Sequence, residues 1–207
     1  MPSKRALRES VAVRLPGWNA AAALVGPVES GEPYMRGHSR RVALMAALIG
    51  EALQLSLEDL RTLHQSALMH DIGKIGVPDT ILNKPERLTD DEFLVVKSHP
   101  VRGEAIARAF PHLANALPGI RSHHERWDGS GYPDGLVGDA IPLQGRIIAI
   151  ADVFDAMTSS RAYRGAHDLR TVLGELRRGA GVRYDRQVVE AFFQAEVWLR
   201  VRPWEPA

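Results

Sequence analysis

The chain has 207 residues, 45% of them hydrophobic, enough to bury one good core and near the upper size for a single compact domain. Its 26 Lys and Arg nearly balance 25 Asp and Glu, so no global field draws it onto a nucleic-acid polymer or an anionic membrane, and an anionic substrate must be held by local charge. Cysteine is absent, which excludes thiolate metal sites, disulfides and cysteine nucleophiles, fits a cytoplasmic location, and leaves imidazole and oxygen as the available ligands.

Residues 1–33 mix Pro16-Gly17, Gly26-Pro27 and Gly31 with a short Ala-rich run, and read as a leader with one short helix over 18–25. The apolar stretch over 20–25 is too short for a signal-peptide core, and no later one reaches the ~20 residues of a membrane span. Residues 34–207 read as one all-α domain. Val42, Leu44, Met45, Leu48, Ile49, Ala52 and Leu53 recur at helical spacing, predicting a helix over 35–53 with His38 in its first turn. A second helix is expected over 57–72, ending at Gly73.

Thr89-Asp90-Asp91-Glu92 has the form of a capping box and predicts a short helix over 90–97. Pro100 suits the first turn of another, over 100–110, and Pro111 stops it. Two more helices are expected around Pro118-Gly119, the second carrying His123 and His124 near its end. The glycine- and proline-rich stretch over 127–142 must be a loop, and loops of that length in a compact domain are more often functional than idle. Helix returns over 143–159, with Asp152 and Asp155 one turn apart on an apolar strip, and last helices are expected over 169–178 and 186–199.

Of eight histidines, His64, His112 and His167 read as ordinary surface or satisfied core residues. His70-Asp71 ends an apolar helix and offers imidazole and carboxylate together, a ligand set for iron, manganese or zinc, although for the dipeptide taken alone a capping or salt-bridged pair is the better account. His123-His124 is harder to explain structurally, because adjacent imidazoles repel when charged and are costly to bury unpaired; a shared metal removes both objections, and an exposed pair is the alternative. A zinc-protease reading of His124-Glu125 fails because position 128 is Asp where a second His is required. Asp152, inside an apolar helix, needs either a metal or a buried arginine such as Arg146 or Arg161. His99 is uninformative alone.

Taken together, these residues resemble the HD-GYP family of the wider HD phosphohydrolase superfamily. The resemblance rests on Gly37-His38-Ser39 with Arg41-Val42, His70-Asp71-Ile72-Gly73-Lys74-Ile75, Lys97-Ser98-His99-Pro100, the run from His123-His124-Glu125 to Gly131-Tyr132-Pro133, Asp152-Val153-Phe154-Asp155-Ala156, and Arg161-Ala162-Tyr163-Arg164. It implies an HD-domain helical bundle around a buried di-metal centre, two divalent ions that are usually iron or manganese, and hydrolysis of cyclic di-GMP to the linear dinucleotide and in some members on to GMP. It also implies that His38, His70, Asp71 and Asp152 hold one ion, and that Asp71 bridges to a second held by His99, His123 and His124. Lys74 would stand beside the scissile phosphate, Arg161 and Arg164 would contact phosphate or guanine, and Gly131, Tyr132 and Pro133 would shape the loop near the site.

Three departures matter. Tyr34 stands where three-metal members have Glu, which predicts a two-metal site; Ala162 replaces the usual proline between Arg161 and Tyr163; and Tyr184-Asp185-Arg186 replaces Phe-Asp-Pro at a helix start, a tolerable change. The competing expectations are an HD phosphohydrolase of another nucleotide, and a metal-bearing module that senses cyclic dinucleotide, or docks on a diguanylate cyclase or adaptor protein, without turnover.

Overall fold

The computed structural model describes residues 37–159 and 167–201, with Gly26 alone among those before 37. The predicted leader helix, Tyr34, Arg161, Ala162 and Arg164 lie outside the described residues. Within them the fold is all-α, without a named strand.

Helix α1 (His38–Ala52) begins after Gly37, whose φ of 72° lies in the left-handed region that glycine adopts without strain. Its apolar face, with Val42, Met45 and Ile49, is fully buried and packs against α2 (Leu57–Met69), whose start is capped by the Ser56 hydroxyl accepting from the Asp59 amide. The helix expected over 57–72 is shorter than predicted. It ends at Met69, and a 3-10 turn, Ile72–Gly76, follows, so His70 and Asp71 occupy the break between two helical geometries.

A single turn, α3 (Asp79–Leu82), leads to α4 (Asp90–Lys97), where the capping box is present as expected: Thr89 accepts from the Glu92 amide while Glu92 accepts from the Thr89 amide. Helix α5 (His99–Ala107) carries Pro100 in its first turn, then a 3-10 turn, Pro111–Ala116, runs directly into α6 (Leu117–Ser122). Pro118-Gly119 therefore sits in the first turn of α6 rather than between two helices, because proline at that position lacks only an amide that a helix start leaves unpaired. His123 and His124 stand just beyond its end.

The stretch over 127–142 is irregular apart from a short 3-10 turn, Gly138–Ala140, and α7 (Leu143–Thr158) crosses the bundle, packed against α1, α2 and α6. Helix α8 (Leu169–Gly179) packs on α7. The helix expected over 186–199 is broken into α9 (Arg186–Gln194) and α10 (Val197–Arg200), with Glu196 at φ 48° between them. Tyr184-Asp185-Arg186 does open a helix: Asp185 accepts from the Gln187 amide and also holds Arg146. One core joins α1, α2, α7 and α9 through residues such as Met45, Leu68, Ile147 and Phe192.

Candidate metal centre

The candidate centre is built largely from helix ends. His70 follows α2, His99 opens α5 just after α4, and His123 follows α6. Each Nδ1 lies on a carbonyl three residues earlier, Ala67 at 2.7 Å, Val96 at 2.8 Å and Ile120 at 2.7 Å. Carbonyls in the last turn of a helix have no amide four residues on to accept from, and an imidazole just past the end can supply the missing donor. Because a carbonyl oxygen only accepts, Nδ1 carries a proton in all three rings, and in the neutral form of each it is Nε2 that holds the lone pair. His38 achieves the same orientation with a carboxylate: its Nδ1 meets Asp155 Oδ2 at 2.7 Å, and Asp155 is fixed in turn by Arg41 Nε at 2.6 Å and Nη2 at 2.9 Å.

Those lone pairs converge. Nε2 of His99 and Nε2 of His123 are 3.1 Å apart, a separation at which two lone pairs repel unless a proton or cation lies with them. His38 Nε2 is 3.2 Å from Asp152 Oδ1 and 3.8 Å from Asp71 Oδ2, while His70 Nε2 is 3.4 Å from Asp71 Oδ2. Both nitrogens are buried, and that of His70 has no hydrogen-bond partner among the described residues. Asp71 turns its other oxygen, Oδ1, to His99 Nε2 at 3.3 Å.

The seven residues thus fall into overlapping sets whose ligand atoms lie within 4.8 Å of one another: His38, His70 and Asp152; His99, His123 and His124; and, between them, His70, Asp71 and His123. Orphaned buried nitrogens, lone pairs facing lone pairs and a carboxylate facing both histidine groups make a donor set that fits divalent cations.

The charges are arranged accordingly. Burial lowers His99 to about 4 and His124 to about 3, and holds His123 well below its ordinary value, so these rings are neutral and able to ligate at neutral pH. Burial alone would raise Asp71 and Asp152, but Lys74 and the imidazoles around Asp71, and His38 beside Asp152, hold both carboxyls well below the usual range. His38 is the exception: burial disfavours its charge, yet the carboxylates of Asp152 and Asp155 outweigh that and raise it to about 9. Ligation through Nε2 would therefore require His38 to give up its second proton.

Lys74, in the 3-10 turn after Asp71, reaches back so that Nζ is 2.8 Å from Asp71 Oδ2. The turn fits against α5 because residue 73 is glycine: a Cβ there would lie 1.9 Å from the His99 carbonyl oxygen and 2.5 Å from the Gly103 amide nitrogen. The loop after His124 is drawn in by Glu125, a buried carboxylate that accepts from the amides of Asp134 at 2.7 Å, Gly135 at 3.2 Å and Leu136 at 3.1 Å. Arg121 joins Asp134 to Glu104 from outside. Gly131 passes where a Cβ would lie 2.3 Å from the Arg126 amide nitrogen, and Tyr132, which precedes Pro133 in a cis peptide, stacks on His124 with centroids 4.8 Å apart.

His38, His70, Asp71, His99, His123, His124, Asp152, Lys74 and the Gly131-Tyr132-Pro133 loop are therefore brought together. Arg161 and Arg164 lie outside the described residues. Arg146, considered in sequence as a partner for Asp152, instead pairs with Asp139 at 2.9 Å and Asp185 at 2.8 Å. His112 is exposed, His64 is buried away from these sets, and His167 belongs to none of them. Sequence reasoning gave no role to Asp155, Arg41 or Glu125. A carboxylate one turn beyond Asp152 on an apolar strip was the signal for Asp155; nothing local marked Glu125 as the anchor of the loop.

Comparison with known proteins gives a consistent result. A profile of the family described as HD domain matches residues 27–188. The chain is 44% identical over 162 residues to the cyclic di-GMP phosphodiesterase response regulator RpfG of Xanthomonas campestris pv. campestris, covering 77% of this chain and 43% of that protein. It is 45% identical over 144 residues to a cyclic di-GMP phosphodiesterase of Vibrio cholerae, covering 66% of this chain and 29% of the relative. The crystal structure of a cyclic GMP-AMP specific phosphodiesterase of V. cholerae, V-cGAP3, superposes with a TM-score of 0.59 at 25% identity, over 79% of this chain and 44% of that one. The chain spans less than half the length of these relatives. No described helix is long and apolar enough to cross a membrane. By its matched profile, its relatives and its motifs, the chain belongs to the HD domain family, in its HD-GYP branch.

Proposed function

We propose that this chain hydrolyses cyclic di-GMP to the linear dinucleotide pGpG, and in a second cleavage to GMP, with two divalent cations, iron or manganese, held by its histidine and aspartate cluster. The observation that carries this reading is the convergence of buried Nε2 lone pairs on the two oxygens of Asp71. In it, His38, His70 and Asp152 serve one ion, His99, His123 and His124 the other, and Asp71 both. The relatives named for cyclic di-GMP hydrolysis support the substrate.

A pair of divalent ions at such a centre supplies an activated water, whose pKa falls towards ~7, and charge compensation for a phosphodiester. The protein's own residues do the rest. Nδ1 donors to Ala67, Val96, Ile120 and Asp155 fix the tautomer and the aim of each ligand ring. Lys74 stands beside Asp71 where its ammonium can neutralise charge developing on the phosphate oxygens or protonate the leaving 3′-oxygen. Tyr132 shields one side of His124, and Gly131 and Pro133 shape the loop that brings it there. Arg161 and Arg164 would add phosphate or guanine contacts.

The direct test is anaerobic reconstitution with iron or manganese, followed by chromatography of products from a panel of cyclic di-GMP, 3′3′-cyclic GMP-AMP, cyclic di-AMP and nucleoside triphosphates. Formation of pGpG from cyclic di-GMP is the expected result. Preferred cleavage of the mixed dinucleotide, a reading favoured by the likeness to V-cGAP3, would shift the substrate but not the reaction. Tight binding without a linear product from any of them would favour a sensor module and overturn the enzyme.

A further inference from the structure

Only one of the two phosphodiesters of a cyclic dinucleotide can occupy a metal centre during a cleavage, which leaves the second phosphate and its nucleoside outside, in need of a counter-charge and a surface to rest on. Lys97 ends α4, one residue after Val96, whose carbonyl orients His99. Its Nζ lies 5.2 Å from the ring centroid of Tyr132 and 5.0 Å from that of Phe93, and Tyr132 is stacked on His124. A line of contacts thus runs from a candidate ligand of the second ion, through Tyr132 and Lys97, to Phe93 at the surface.

Two features of this line point to a ligand. Among the described residues the ammonium meets ring faces and no carboxylate, so it is positioned without a described anion to neutralise it. A place in the last turn of α4 suits a lysine through the helix dipole, but does not explain its reach to Tyr132 on a separate loop. Phe93, moreover, is 44% exposed and lines a cleft of about 520 Å³, large enough for a nucleoside, whose walls combine Leu82 and Leu88 with the cations Lys84 and Arg87 and the carboxylates Glu86 and Asp90.

We infer that Lys97 and Phe93 form a second substrate subsite, Lys97 pairing with the phosphate that is not being cleaved and Phe93 supporting the base of the attached nucleoside. Base stacking on an aromatic face tolerates any base, so this subsite recognises a dinucleotide as such and leaves guanine selection to other residues. The inference deepens the proposed function and rests on it.

The test compares wild type with Lys97→Gln, Lys97→Arg and Phe93→Ala, all metal-reconstituted. Three readouts are taken: equilibrium binding of a non-hydrolysable phosphorothioate analogue of cyclic di-GMP at low and high salt, KM and kcat for cyclic di-GMP, and turnover of bis(p-nitrophenyl) phosphate, which has one phosphodiester and no second phosphate. Lys97→Gln is expected to weaken analogue binding and raise KM by about tenfold, with a flatter salt dependence, while kcat and bis(p-nitrophenyl) phosphate turnover stay within about twofold. Lys97→Arg should restore binding, and Phe93→Ala should weaken it without changing its salt dependence. Unchanged affinity in Lys97→Gln, or an equal loss on the small substrate, overturns the inference, as does failure of the wild type to bind the analogue. A wild type that binds the analogue yet never cleaves cyclic di-GMP overturns the hydrolytic reading instead, and the binding comparison still decides the role of Lys97.

Discussion

Asp71 occupies the position of highest demand, with Oδ2 toward His38, His70 and Lys74 and Oδ1 toward His99. Asp71→Asn keeps the shape but removes the negative charge, and an amide is a poor bridge between cations. The expected outcome is loss of turnover together with at least one metal equivalent per chain, checked by elemental analysis beside the activity assay. Lys74→Ala separates the roles: metal content should hold while kcat falls by roughly 10² to 10³, the effect of removing one donor aimed at developing charge. His64 gives a pH prediction free of the metal. Burial lowers it to about 4 from an ordinary 6.5, so between those values the unfolded chain binds the proton that the folded chain refuses. Stability should therefore fall as pH drops through that window and level off below it, by on the order of 3 kcal/mol at most for this one residue. Denaturant titrations of metal-free wild type and His64→Gln should differ in slope across that range and run parallel above it.

The helices differ in how plainly the sequence announces them. α1, α4 and α7 could be read closely because each has a sharp local signal: an apolar period for α1, a capping box for α4, a proline before α7. The end of α2 could not, since the apolar pattern runs on through Ile72 while the backbone tightens at His70 to send Asp71 and Lys74 inward. Likewise Glu196 at φ 48° breaks the last helix with a residue that carries no breaker signal. Gly73 shows what such a junction requires. Gly73→Ala would drive a Cβ into the backbone of α5 at His99 and Gly103, and the damage should appear as a loss of roughly 2 to 3 kcal/mol. A thermal midpoint lower by about 5 °C or more, with weakened metal retention because His99 is displaced, is the expected pair of readings.

Across the whole molecule, ligand candidates spaced from His38 to Asp152 meet because three helices end at the same place and two others, α1 and α7, cross behind them. The residue types that gather there were legible in sequence through the motif resemblance. From spacing alone His99 was silent and Asp152 was equally well explained by an arginine, because convergence of distant helix ends is a tertiary property. The hydrogen bonds that set the tautomers were equally hidden, although they follow a simple rule once the fold is known: a carbonyl in the last turn, which no amide four residues on can reach, takes the Nδ1 proton and turns Nε2 inward. The most direct test of that account is the metal stoichiometry of the anaerobically reconstituted chain, measured beside His99→Ala and His38→Ala. Two equivalents in the wild type and about one in each variant are predicted; a wild type that retains no ion, or variants that lose none, would contradict a centre built from two histidine groups sharing Asp71.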